Sequence, residues 1–167
     1  MPRKTVATQL TITLGESAVA ALAATFSALV LDVPVWAMFV GWISYFSRGL
    51  NLRQGVVNLA CVLVGLGVGI AAGAAMQALT PHLGTFTVTA VVFAVALVVL
   101  SLRHVPVFNN LPGFFLGLVA YFASHQPPSW GAFSGLGVAV GVGAGAAFIA
   151  SLLHQRAHHA APMRALP

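Results

Sequence analysis

The chain has 167 residues, of which 59% are hydrophobic and only 5% are charged, and its mean hydropathy is +0.97. Because a soluble domain carries about a quarter charged residues, this composition excludes a water-soluble fold and predicts an integral membrane protein. The apolar runs are continuous rather than alternating, which favours helices over a β-barrel.

The pattern of charge and the single cysteine argue against a nucleic-acid-binding protein and against a protein built on disulfides or bound metal. The net charge of +5 comes without a basic patch or interleaved aromatic residues, so nucleic acid is not an expected partner. Cys61 is the only cysteine, which leaves no disulfide framework and no metal-binding motif. The expected partner is the lipid bilayer.

Six apolar runs predict six membrane spans in an all-α single domain. They cover about residues 8–31, 33–47, 55–79, 84–102, 108–124 and 130–153. The connections are only a few residues long, so neighbouring helices must be antiparallel. The first run contains Glu16 and lacks a clear cleavage site, so we interpret it as a retained span rather than a signal peptide.

The basic residues predict the orientation. If both termini are cytoplasmic, all seven lysines and arginines lie in cytoplasmic segments, and the outside loops near Asp32, His82 and His125 contain none. Residues 154–167 then form a solvated cytoplasmic tail that contacts anionic lipid. Its histidines lack the further ligands that a metal site needs.

A motif of the form F-x-G-x-x-x-Y-F occurs twice, at residues 39–46 and 115–122, an offset of 76 positions. The same offset pairs the glycine runs at 65–69 and 141–145. We interpret the chain as two copies of a three-span unit, repeat A at about 8–79 and repeat B at about 84–153. Because three is odd, the second copy is inverted, as in many channels and transporters; duplicated packing modules that transport nothing are the alternative.

The second and fifth spans are short and contain Pro34 and Pro112. A crossing helix needs about 20 apolar residues, and short or interrupted segments at matching positions point to a solute site. Tyr45 and Tyr121 would then offer hydroxyl groups to a solute. The two phenylalanines, Phe39 and Phe115, would be apolar constrictions. The alternative is an interfacial aromatic belt that includes Tyr45.

Glu16 is the only acid inside a predicted span, and its repeat partner is Val92. Because a buried carboxylate is costly in lipid, it either binds a proton or cation or forms an ion pair with Arg48 or Arg103.

Four uncharged polar residues are further candidates for the solute pathway. Asn58 and its repeat counterpart Ser134 would line a cavity. Asn109 and Asn110 would cap the fifth helix or contact the solute.

Small residues are expected where helices approach closely, between the two halves or between subunits. The glycines placed there are Gly41, Gly65, Gly69, Gly117, Gly141 and Gly145.

The run Pro34-Val35-Trp36-Ala37-x-Phe39-x-Gly41-Trp42-x-x-Tyr45-Phe46 resembles a family of small bacterial inner-membrane proteins. That family is described as a domain of unknown function and includes the YcdZ-like proteins of enteric bacteria. The resemblance covers most of residues 10–153. It implies a bacterial inner-membrane location and no established activity.

These observations favour a homo-oligomeric channel or facilitator for a small polar or weakly charged solute. The alternative is a non-transporting membrane scaffold or accessory subunit. An enzyme is the least favoured class, because two acids and no histidine inside a span leave almost no acid–base chemistry. No cofactor is expected.

Overall fold

The computed structural model describes residues 3–102, 104–106 and 109–160, and these residues form α-helices and no strand. The helices are α1 (Arg3–Leu29), α2 (Val35–Phe46), α3 (Leu52–Leu83), α4 (Thr87–Leu102), α5 (Leu111–Ser124) and α6 (Trp130–Ala160), with a 3₁₀ turn at Gly84–Phe86. The predicted all-α class is confirmed.

Three helical segments are long and apolar enough to cross a membrane. They are Gln9–Leu29, Leu52–Leu102 and Trp130–Arg156, and α2 and α5 are shorter apolar helices. The segment Leu52–Leu102 combines α3, the 3₁₀ turn and α4. It folds back on itself, since Val99 near the end of α4 packs with Cys61 in the first half of α3. Apolar helices of this kind belong to a membrane protein.

Four helices form the interior, and α1 and α4 lie outside them. The closest pairs are α3 with α5 and α2 with α6. Helix α1 packs mainly along α6, and α4 packs mainly along α3. Large apolar side chains of α1 and α4, such as Leu22 and Phe93, are exposed, as is expected of helices that face lipid.

Glycines bring the interior helices into backbone contact. A Cβ at Gly41 of α2 would overlap the carbonyl group of Val140 on α6, and one at Gly143 of α6 would overlap the carbonyl group of Met38 on α2. The pair α3 and α5 meets in the same way, with Gly65 against Phe114 and Gly117 against Val62. Lipid supplies no hydrophobic driving force for helix association, so van der Waals packing between closely approaching helices stabilises the pairs instead.

Helices α2 and α5 are short, as the sequence predicts, but neither is interrupted. Pro34 lies at the N-cap of α2, and Pro112 lies in the first turn of α5, where the missing N–H has no partner to lose. At 12 and 14 residues, they measure about 18 and 21 Å, less than the roughly 30 Å hydrocarbon layer.

Several boundaries differ from the sequence interpretation, among them the start of α1, at Arg3 rather than about residue 8, and the ends of α3 and α6. Helix α3 continues through Pro81 to Leu83, and Gly84, at φ +50°, ends it. Pro81 lies in the last turn, so it removes one hydrogen bond without breaking the helix. Helix α6 continues past residue 153 to Ala160, so the start of the expected tail is helical. The rest of that tail, residues 161–167, lies outside the described residues.

Candidate functional site

Apolar side chains fill the centre of the four-helix interior. Val40, Val62, Ala120 and Val140 pack together, one from each interior helix, and we call them the central layer. Val40 is 8% exposed and the other three are fully buried. Within the described residues, the central layer offers a solute no polar group.

Polar side chains meet where α2 ends and α5 begins. The amide nitrogen Nδ2 of Asn110 donates to Oδ1 of Asn58 at 2.7 Å and to Oγ of Ser47 at 3.0 Å. Nδ2 of Asn58 lies 3.5 Å from the carbonyl oxygens of both Tyr45 and Arg48. Asn58 therefore satisfies carbonyl groups that the end of α2 leaves without a helical partner.

The two asparagines before α5 have structural partners. Oδ1 of Asn110 accepts a hydrogen bond from the backbone N–H of Gly113 at 3.4 Å, which caps the helix. Asn109 accepts a hydrogen bond from the guanidinium group of Arg48. Both contacts link the start of α5 to neighbouring backbone or to the end of α2.

Tyr45 is buried between α2 and α6, with 1% of its surface exposed. Its hydroxyl group lies 2.9 Å from Oγ of Ser151, which itself donates to the carbonyl oxygen of Phe148 at 2.7 Å. Tyr45 is thus the donor to Ser151. A side chain this deeply buried does not face lipid headgroups, so the belt interpretation does not describe Tyr45.

Tyr121 lies at the opposite end of the interior, between α5 and α3. Its ring packs against Gly69, and its hydroxyl group lies against Gly73. It is 4% exposed and lines a cavity of about 250 Å³, together with Gln77 and Gln126.

Three other candidates lie away from the centre. Phe39 and Phe115 are 39% and 43% exposed on the outer faces of their helices. Phe115 also lines an apolar cavity of about 150 Å³ between α3, α4 and α5. Ser134 is exposed and donates to the carbonyl oxygen of Gly131 in its own helix.

Glu16 contacts His154, which sequence reasoning did not consider as its partner. Oε1 of Glu16 lies 3.0 Å from Nδ1 of His154, and both side chains are partly exposed. The contact joins α1 to α6, because α6 extends past the predicted end of the sixth span. Of the two expected partners, Arg48 bonds to Asn109, and Arg103 lies outside the described residues.

The packing glycines divide into two groups. Gly41, Gly65, Gly69 and Gly117 lie against neighbouring helices, where an added Cβ would meet or overlap other atoms. Gly141 and Gly145 have no atom within 4 Å of an added Cβ. On α6 the close contact is made by Gly143 instead. Sequence reasoning had no signal to prefer it, since 141, 143 and 145 are all glycine.

Sequence reasoning also missed Ser47 and Ser151, whose partners come from distant parts of the chain. Within the part of the chain that the structure describes, no group of three or more histidine, cysteine or acidic side chains is placed to hold a metal ion.

Comparison with known proteins gives one match. No curated protein and no solved structure matches this chain. The pattern of one protein family, described as "Protein of unknown function (DUF1097)", matches residues 13–155. Since the match covers most of the chain, the protein belongs to the DUF1097 family.

Proposed function

We propose that the chain spans the bacterial inner membrane six times as an inverted three-plus-three repeat, with both termini in the cytoplasm. The distribution of lysine and arginine supports this topology. The packing supports it as well, because the second helix of each repeat lies on the third helix of the other. Helix α2 packs on α6, and α5 packs on α3.

Matching contacts support the repeat in detail. Gly41 and Gly117, 76 positions apart, make equivalent contacts on α6 and α3. The carbonyl groups that they meet belong to Val140 and Val62, which are 78 positions apart, as are Gly143 and Gly65, the glycines that α6 and α3 contribute to the same crossings. The change from 76 to 78 follows from α5, which is two residues longer than α2 (14 against 12).

The function that the geometry supports best is a non-transporting membrane scaffold or accessory subunit. The central layer carries this proposal, because its four apolar side chains, one from each interior helix, pack against one another in the interior. The buried asparagines support it too, since they bond to each other and to helix ends. A conduit instead exposes polar groups along a continuous cavity.

The test is a flux assay with purified protein in proteoliposomes, using glycerol, urea, ammonium and formate as solutes. A scaffold gives rates equal to those of empty vesicles at every protein-to-lipid ratio. A rate that rises with the amount of protein, and falls in Glu16→Gln or Tyr121→Phe, would overturn the scaffold proposal. Vesicles that contain a general pore-forming peptide show that the assay detects flux.

A channel or facilitator for a small polar or weakly charged solute is the second candidate. The observation that favours it is that polar side chains lie at both ends of the interior, around Asn58 at one end and Tyr121 at the other. Transport would require the central layer to open. Val140→Ala removes two methyl groups from that layer and is then expected to raise the flux. Val138→Ala, at an exposed position on α6, is expected to leave the flux unchanged.

Homo-oligomerisation is proposed for either function. A chain of 167 residues encloses little volume, and Gly141 and Gly145 leave room on α6 where an added Cβ would meet none of the described residues within 4 Å. The mass of the protein in detergent, after correction for bound detergent, distinguishes a monomer from an oligomer.

A further inference from the structure

We propose that the cavity beside Tyr121 is a binding site for a small uncharged solute that donates hydrogen bonds, such as an alcohol or a carboxamide. The cavity measures about 250 Å³ and lies between the second half of α3 and the end of α5. In the proposed topology it opens on the periplasmic side.

The hydroxyl group of Tyr121 has no hydrogen-bond partner among the described residues. Only 4% of the surface of Tyr121 is exposed. The hydroxyl group lies against Gly73, and both residues line the cavity. In the described part of the chain the one enclosed side-chain oxygen without a partner is Oγ of Ser27, so the Tyr121 oxygen is open to the cavity, where a bound molecule would pair with it.

In the other repeat, the equivalent tyrosine has a hydrogen-bond partner of the kind that Tyr121 lacks within the residues that the structure describes. Tyr45 is equivalent to Tyr121, and its hydroxyl group is bonded to Ser151 at 2.9 Å. Under the 78-position relation, the residue equivalent to Ser151 is Gly73. The protein thus has a glycine where the other repeat has the serine that pairs with its tyrosine, and a Cβ at this glycine would overlap the hydroxyl group of Tyr121. This comparison depends on the proposed repeat, whereas the cavity and the unpaired hydroxyl group do not.

The lining determines the charge of the ligand. Tyr121, Gln77, Gln126 and His125 supply its polar groups, and no aspartate, glutamate, lysine or arginine lines it. Among the described residues a cation would therefore find no counter-charge there, and an anion would meet the partial negative charge at the C-terminal end of α5. Two glutamine amides and a tyrosine hydroxyl match a neutral molecule that both donates and accepts hydrogen bonds.

The cavity, at about 250 Å³, has room for a compact solute. Phe122 and Met76 give one side of it an apolar surface. A short polyol or a small amide fits both properties.

The test is binding of acetamide and erythritol to the full chain in lipid nanodiscs, measured by saturation-transfer difference NMR, with empty nanodiscs as the blank. At least one of the two is expected to give a saturable signal, and acetate and methylammonium are expected to give none. Tyr121→Phe, which removes only the unpaired hydroxyl group, is expected to weaken binding about three- to tenfold. Gly73→Ser is expected to abolish it, because the added Cβ would overlap the hydroxyl group of Tyr121 and displace it.

Tyr45→Phe is the matched control, because it removes the equivalent hydroxyl group far from the cavity, and it is expected to bind as the wild type does. The proposal is overturned if neither uncharged probe binds saturably, if a charged probe binds more tightly, or if Tyr121→Phe binds as tightly as Tyr45→Phe. Binding is measured without flux, so its failure leaves the scaffold proposal unchanged.

Discussion

At the scale of single residues, hydrogen bonds between buried polar side chains connect helices that otherwise pack through apolar contacts. Asn58 and Asn110 join α3 to α5 at 2.7 Å, and Tyr45 joins α2 to Ser151 of α6 at 2.9 Å. Lipid offers these groups no alternative partner, so their loss affects helix association directly.

Tyr45→Phe is expected to destabilise the protein modestly. The substitution removes one buried interhelical hydrogen bond, which in membrane proteins is worth about 0.6 kcal/mol on average and at most about 1.7 kcal/mol. Unfolding in mixed detergent micelles measures the change. In a double-mutant cycle, Ser151→Ala is expected to add less to Tyr45→Phe than it costs alone; strict additivity would show that the two groups do not interact.

Asn58→Leu is expected to cost more, about 1–3 kcal/mol, because it leaves Asn110 and the end of α2 with unsatisfied groups. The same unfolding assay measures it. Ser134→Ala is the control: Ser134 is exposed and bonded only within its own helix, so its replacement is expected to stay within about 0.5 kcal/mol of wild type. Equal effects at the two positions would contradict a structural role for Asn58.

The sequence predicts hydrogen bonds between residues that are close together along the chain, but not between distant ones. The cap at Asn110 follows from its place just before an apolar run, and its bond to Gly113 spans three residues. The partner of Tyr45 lies 106 residues away, and nothing near either residue indicates the pairing. Glu16 is similar, because its contact with His154 spans 138 residues and depends on how far α6 extends.

At the scale of helices, two backbone-to-backbone crossings hold the interior together. Gly143 lies against Met38 of α2, and Gly65 lies against Phe114 of α5. In both places a side chain as small as a methyl group would overlap a backbone carbonyl of the partner helix. The spacing between each pair of helices therefore depends on glycine.

Gly143→Ala is expected to destabilise the protein by about 1–3 kcal/mol, because α2 and α6 must move apart to admit the methyl group. Gly145→Ala, two residues further along the same helix, meets no atom within 4 Å. It is expected to be neutral or to stabilise by up to about 1 kcal/mol through helix propensity. Thermal unfolding of the two variants side by side tests the crossing, and a Gly145→Ala variant less stable than Gly143→Ala would refute it.

Helix positions follow from apolar runs, but helix registers do not. The sequence predicts α2 and α5 as short helices, because hydrophobic length alone sets that property. It ends the third apolar run at about residue 79, whereas α3 continues to Leu83, since proline is tolerated in a last turn. An ungapped offset of 76 positions pairs Gly65 with Gly141, whereas the glycine at the α6 crossing is Gly143. The two extra residues of α5 raise the offset between α3 and α6 to 78 positions.

At the scale of the whole molecule, the middle helix of each proposed repeat packs on the other one. Helix α2 has its main partner in α6, and α5 has its main partner in α3. The outer helices α1 and α4 rest on this interior with apolar faces directed outwards. The proposed topology requires α3 and α4 to cross the membrane in opposite directions, with the turn at Gly84–Phe86 on the periplasmic side.

Cysteine accessibility in intact cells tests this requirement most directly. In a Cys61→Ala background, single cysteines replace exposed residues of the five connections: Asp32, Leu50, Thr85, Val105 and Gln126. Six spans with cytoplasmic termini predict that a membrane-impermeant maleimide labels positions 32, 85 and 126 from outside, and labels positions 50 and 105 only after permeabilisation. Labelling of positions 50 and 85 from the same side would contradict the inverted repeat.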